Sequence, residues 1–319
     1  MKKFLQITFV AVTLLPVVTL ATQTNADSLM KAAQVALAGG DYEKAFASYQ
    51  TAVQQHNNPL AQFTIGLFYQ NGWGRAADPV IACRWFEQAA QGGIPTAQYM
   101  TGICLEQGSH RPIDFAAAAH WYQKAAQAGQ LHANCRLSNL LMTGRGVTKD
   151  PHKALALCRP GALQGSLSAQ LWMGKFYLHG DSTIQNLQEA YHWFATAAQN
   201  HAPEAFYYLG MIMQQGMLNE QKPEIIRQMF EQAAALKFVP AYFQAGKQFY
   251  SAEPDSHTHQ LTAEHLAKAY LWLSAATQRS EDQKEVAAAK EILQQILTVM
   301  PQTWRANLDM KIAQHLQEN

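Results

Sequence analysis

The chain has 319 residues, 48% hydrophobic and only 15% charged, which is ample for a packed core and too apolar for a disordered chain. With 24 basic and 23 acidic residues its formal net charge is +1, so the broad positive field that nucleic-acid binding relies on is missing. Beyond the first twenty residues no stretch approaches the roughly 20 apolar residues of a membrane-spanning helix.

At the N-terminus Lys2 and Lys3 precede a mostly apolar run from Phe4 to Leu20, and the small residues Ala21 and Ala26 offer cleavage points. Residues 1–26 therefore read as a secretory signal. Gln6, Thr8, Thr13 and Pro16 interrupt the run, which argues against an anchor that stays. The mature chain is expected outside the cytoplasm, periplasmic or secreted, without a membrane span. Residues 27–58 read as an opening helix hairpin that turns at Gly39-Gly40-Asp41.

A repeat follows. Ala61, Ala97, Ala133, Ala169, Ala205 and Ala241 recur every 36 residues. Five residues after each stand Gly66, Gly102, Ser138, Gly174, Gly210 and Gly246, and eleven after the first five stand Gly72, Gly108, Gly144, Gly180 and Gly216. The second half of each copy carries an aromatic pair, Trp85-Phe86, Trp121-Tyr122 and Trp193-Phe194, with Phe230 alone in the fifth. Apolar positions at offsets 0, +4 and +8 from the alanine lie on one helical face, which predicts a first helix, A. The glycine at +11 ends it, and Asp78, Asp114, Asp150 and Asn186 at +17, two of them followed by proline, open a second helix, B.

One hairpin cannot bury its apolar face alone, so residues 59–276 are expected to stack as six repeats. The last copy is delayed by a loop at Ser251–Thr262, and residues 277–319 supply C-terminal capping helices broken near Pro301. The third copy has Ser138 for the glycine and Cys158 for the ring, and Pro160 with Gly161 is expected to interrupt its helix B.

The stretches Ala97-Gln98-Tyr99-Met100-Thr101-Gly102, Gly144-Arg145-Gly146-Val147-Thr148-Lys149-Asp150-Pro151 and His120-Trp121-Tyr122-Gln123-Lys124-Ala125-Ala126 resemble the Sel1-like repeat (SLR), a longer-looped relative of the tetratricopeptide repeat. The resemblance implies an all-α, right-handed solenoid of helix-turn-helix repeats. It also implies an adaptor or scaffold that binds a protein or peptide, in bacterial envelope biology or host interaction, with no cofactor.

Four cysteines in an exported chain admit two bridges. Cys83 and Cys104 stand level across the turn at residues 92–94 and can pair; Cys135 and Cys158 are level about Gly146 but less well aimed. Buried free thiols are an equal alternative, and the spacings do not suit zinc. His257, His259 and His265 gather in the inserted loop with Glu253, Asp255 and Glu264, yet nothing fixes their geometry, so no metal is expected. A penicillin-recognising or peptidoglycan-processing enzyme is the rival reading. Ser28-Leu29-Met30-Lys31 has S-x-x-K spacing, but no S-D-N or K-T-G motif accompanies it, so no catalytic residue is assigned.

If helices A line the concave side, offsets +2, +3 and +6 face the groove. That places Phe63, Tyr99, Leu171, Tyr207 and Phe243 at +2, Arg136, Trp172 and Tyr208 at +3, and Lys175 and Met211 at +6. Rings with basic residues among them suit a protein-binding face. Trp172 and Tyr208 are expected to stand off the core. Residues 110–160 hold seven basic side chains (Arg111, Lys124, Arg136, Arg145, Lys149, Lys153, Arg159) against Asp114 and Asp150, an excess that suits an acidic partner.

Overall fold

The computed structural model describes residues 17–216 and 222–317, with side chains from residue 27. Residues 1–16 of the expected signal segment lie outside the described residues. Helix α1 (Val17–Ala38) runs without a break past Ala21 and Ala26, and α2 (Tyr42–His56) completes the opening hairpin, with Asp41 as its N-cap.

Twelve helices then follow as two-helix repeats. They are α3 (Pro59–Asn71) packed with α4 (Pro79–Gln91), α5 (Pro95–Gln107) packed with α6 (Phe115–Gln127), and then α7 (Leu131–Thr143) followed by α8 (Pro151–Leu163). The later pairs are α9 (Leu167–His179) with α10 (Leu187–Ala198), α11 (Pro203–Gln214) with α12 (Pro223–Ala235), and α13 (Val239–Tyr250) with α14 (Ala263–Arg279). Two closing helices follow, α15 (Gln283–Val299) and α16 (Gln302–Gln317). The chain forms two compact units, one reaching Leu140 and including 144–148, the other made of 141–143 and everything from Lys149 on.

The boundaries have local causes. Asp78, Asp114 and Asp150 each accept the N–H three residues on, from Ile81, Ala117 and Lys153, at 2.9 Å, and Asn186 caps α10 in the same way. A side chain thus takes one of the four donors that a helix start leaves open. At the other end of the A helices, Gly72, Gly108 and Gly144 adopt φ of 68°, 70° and 72°, a left-handed turn that glycine enters without a steric penalty. Gly180 departs from this and ends α9 in extended backbone.

Within four of the pairs the decisive contact is a ring laid into a glycine notch. A Cβ added to Gly66 would lie 2.5 Å from Phe86, one added to Gly102 2.3 Å from Tyr122, and one added to Gly174 2.6 Å from Phe194. The same notch meets Phe230 at Gly210 and Leu273 at Gly246. Each of these aromatic residues is almost wholly buried, worth on the order of 2–3 kcal/mol apiece in apolar area removed from water. The repeat alanines sit at the seam with the preceding pair, Ala97 in one cluster with Ala89 and Ala90 and Ala241 in one with Ala233 and Ala234, and Ala61, Ala97, Ala133, Ala205 and Ala241 are all completely buried.

A glutamine follows the alanine in several copies and is buried as well. Gln98 and Gln170 donate from Nε2 to the carbonyls of Ala90 and Ala162, at 3.4 and 3.2 Å, and so join an A helix to the C-terminal end of the preceding B helix.

One expectation changes, in the third copy, and the first bridge forms as the spacing allows. Helix α8 is continuous from Pro151 to Leu163 with Pro160 inside it, so the proline does not interrupt it. The bond it forfeits would have ended on the Ala156 carbonyl. Ala156 and Pro160 are both exposed, so water can take that carbonyl and the helix survives. Cys83 of α4 and Cys104 of α5 form a disulfide with a Cα–Cα distance of 5.8 Å. Cys135 and Cys158 are buried, and none of the four cysteines is free.

The far end of the second unit is closed by polar clasps over apolar packing. Tyr270 donates to Asp309 at 2.7 Å, and the Tyr242 hydroxyl meets His315 Nε2 at 3.1 Å while its ring stacks on Trp272.

The notch makes a prediction about two glycines in the second unit. Gly174→Ala pushes a methyl into Phe194 and should cost about 1–3 kcal/mol. Gly161→Ala meets only the Ala169 Cβ, at 3.5 Å, and should stabilise by about 0.5–1 kcal/mol through higher helix propensity. Denaturant unfolding of the two variants should therefore move in opposite directions; equal shifts would contradict the notch.

Candidate protein-binding face

The +2 side chains rise from the A helices and rest on the ring that fills the notch. Phe63 lies 5.6 Å from Phe86, Tyr99 6.0 Å from Tyr122 and Tyr207 5.8 Å from Phe230, centroid to centroid. Leu171 and Phe243 pack on the core in the same manner. All five are half-buried.

Arg136 is held inside the first unit. Its Nη1 lies 3.7 Å from Glu106 Oε2, and the same carboxylate oxygen accepts a 2.7 Å bond from the Tyr122 hydroxyl. Burial, and then the bond to Glu106, push the Tyr122 phenol far up. Burial works against the charge on Arg136, yet the bond to Tyr99 and the neighbouring Glu106 outweigh it and raise its pKa. Arg136 is thus a structural cation with a fixed partner.

In the second unit the structure gathers most of the remaining candidates. The Lys175 ammonium lies 5.3 Å from the Trp172 centroid and 5.8 Å from that of Tyr208, and it pairs with Glu204 at the start of α11. Beside them is a cavity of about 410 Å³ walled by Leu178, Leu187, Tyr207, Tyr208 and Met211, with His179, Gln185 and Gln215 at its polar edge. Burial, and then the Lys175 charge, lower the pKa of His179.

Tyr208 does not stand off the core as expected. Its ring stacks on Phe194 at 4.7 Å and 17°, because the next A helix brings it over the notch residue of the preceding pair. Trp172 leans on Phe176 at 5.6 Å and is half-buried. Leu178, His179 and Leu187 were not singled out in the sequence. They belong to the end of α9 and the start of α10, outside the three offsets that define the groove.

The basic excess between residues 110 and 160 is smaller than its count. Arg111 pairs with Glu87 at 2.8 Å, Arg136 with Glu106, and Lys149 with Asp181 at 3.0 Å, all acids outside that window. In the inserted loop Asp255 accepts the N–H groups of His257 and Thr258, so it serves the turn. His265 rests against Phe249 from α14. Ser28 and Lys31 are both exposed on α1.

These placements predict a split between the two rings. Tyr208→Ala should cost about 2 kcal/mol of stability, since it strips the stack from Phe194, while Tyr208→Phe should cost little. Trp172→Ala should cost roughly 1 kcal/mol or less. Urea unfolding of the three variants measures this, and a Tyr208→Ala protein as stable as the parent would show that the stack carries no weight.

The pattern of the Sel1 repeat family matches residues 59–94, 95–130, 131–166 and 167–201. Among solved structures, a Sel1 repeat protein from Oxalobacter formigenes is 23% identical with a TM-score of 0.59, covering 83% of this chain and 99% of that one. A protective antigen of uropathogenic Escherichia coli strains, displaying an SLR fold, is 18% identical with a TM-score of 0.56, covering 93% of this chain and 70% of that one. No relative is found among curated proteins. At these identities the structural likeness bears on the fold, and it agrees with the repeat register and the sixteen helices of the described residues. Residues 59–201 are Sel1 repeats, and the chain is an all-α repeat solenoid whose scaffold points to protein–protein interaction.

Proposed function

We propose that this chain is a non-catalytic adaptor that works outside the cytoplasm and holds a protein or peptide on the A-helix face of its fourth and fifth helix pairs. The observation that carries the reading is the cavity walled by Leu178, Leu187, Tyr207, Tyr208 and Met211. An apolar recess with a few polar groups at its edge accepts one large side chain of a partner and fixes its orientation. The Lys175–Glu204 pair beside Trp172 supplies a charged rim. With Arg111, Arg136 and Lys149 already paired, apolar contact and not long-range attraction supplies most of the binding. The signal pattern of residues 1–26 supports export, and the antigen relative is in keeping with a place in the bacterial envelope or at the host interface.

A photo-crosslinking residue placed at Trp172 or Met211, in cells that express the chain, should trap a discrete protein partner. One placed at Arg159, exposed on α8, should not. With that partner in hand, Met211→Ala should weaken binding by about 1–2 kcal/mol, a factor of roughly 5–30, without loss of helix content. Crosslinks from Arg159 alone, or full affinity after Met211→Ala, would contradict the reading.

A further inference from the structure

The first bridge has an unexpected neighbour. Cys83 and Glu87 lie one turn apart on α4, Cys104 lies near the end of α5, and His110 follows in the loop to α6. The two sulfurs and a ring nitrogen of His110 all lie within 4.8 Å of one another, the one such grouping of metal-ligating atoms among the described residues. The His110 side chain is 5% exposed. Its Nε2 meets Glu87 Oε2 at 3.2 Å, and Arg111 holds the other oxygen of that carboxylate at 2.8 Å.

That arrangement leaves one atom unexplained. With Nε2 donating its proton to Glu87, Nδ1 presents a bare lone pair, and it is buried with no hydrogen-bond partner among the protein atoms. Bridged sulfurs carry no hydrogen and cannot satisfy it. A buried acceptor of this kind needs an explanation. A buried imidazole that is held by a carboxylate on one nitrogen, left without a partner on the other, and set beside two cysteine sulfurs has the make-up of a metal-binding histidine with its orienting partner.

We propose that reduction of the Cys83–Cys104 bridge turns this point into a Cys2His site for Zn2+, with Glu87 as the positioning residue of His110. A dithiol reductant gives two electrons and two protons to the bridge and is itself oxidised to a disulfide. The S–S bond breaks and two thiols form. Zn2+ then replaces both thiol protons, which leave to solvent, and makes two Zn–S bonds and one Zn–N bond. Three protein ligands leave a fourth tetrahedral position for water or an outside ligand. The sulfurs must part to roughly 3.7 Å for Zn–S bonds of about 2.3 Å, a change that side-chain rotation supplies. Bridge and metal exclude each other, so the oxidised protein binds no zinc here. Cysteine spacing alone does not announce the site, because the third ligand comes from a loop in the adjoining helix pair.

The test uses the full mature-length chain, reduced with a water-soluble phosphine, freed of metal and titrated with Co2+ as a spectroscopic probe and then with Zn2+. The reduced chain, still helical by circular dichroism, should bind Co2+ with a thiolate-to-cobalt charge-transfer band that Zn2+ abolishes; the oxidised chain should show none. The band should persist in Cys135→Ser/Cys158→Ser, which removes the other thiols. Glu87→Gln should weaken Zn2+ by about 10- to 100-fold, and His110→Ala by at least as much. Absence of the band in the reduced protein, loss of helix on reduction, or unchanged affinity in His110→Ala would each overturn the proposal.

Discussion

The structure depends on one contact repeated along the chain: a side chain of helix B pressed into the gap that a glycine leaves in helix A. Phe86, Tyr122, Phe194 and Phe230 fill such gaps at Gly66, Gly102, Gly174 and Gly210. A helix that lacks a Cβ lets its neighbour approach closely, and a large ring then buries nearly its whole area in the space gained. The fully buried alanines at offset zero extend the same logic to the seam with the neighbouring pair. Packing of this kind is local and additive, which suits a repeat protein in which neighbouring helices supply the core.

The notch also shapes the surface. Because the B-helix ring fills the gap, the +2 side chain of helix A cannot sink further and is held half-buried above it, as Phe63, Tyr99 and Tyr207 show. In each unit the A helices therefore carry rings that the core has already immobilised. Immobilised aromatic surface loses little freedom when a partner covers it, which favours recognition. In the second unit the row opens beside Tyr208 into the recess that Leu178, Leu187 and Met211 complete. Core and candidate site share residues, so stability and binding are coupled at Tyr208 in particular.

The fold was legible in the sequence because its causes are short-range and periodic. A 36-residue register of Ala, Gly and Asp fixes where helices start, stop and approach, and the N-caps at Asp78, Asp114, Asp150 and Asn186 lie where that register puts them. The third copy was harder to read. Pro160 suggests a break, yet the carbonyl it strands is on the exposed side of α8, a distinction that residue identity alone does not carry. Site geometry was only partly legible. Offsets on helix A placed Trp172, Lys175, Tyr207, Tyr208 and Met211 together, whereas Leu178 and Leu187 enter through the end of α9 and the start of α10, where no repeat offset points. Charge counting misled for a related reason: Glu87, Glu106 and Asp181, the partners of Arg111, Arg136 and Lys149, lie outside the counted window. His110 escaped notice because its loop position has no meaning until the hairpin is folded.

The central claim is that glycine and ring act as one unit. A double-mutant cycle on Gly66→Ala and Phe86→Leu tests it most directly, since a Cβ at Gly66 would lie 2.5 Å from Phe86. Each single change should destabilise, but in the Phe86→Leu background the added methyl should meet a smaller, more flexible neighbour and cost little or nothing. The account predicts a coupling of about 1–2 kcal/mol between the two positions. Costs that simply add would contradict it.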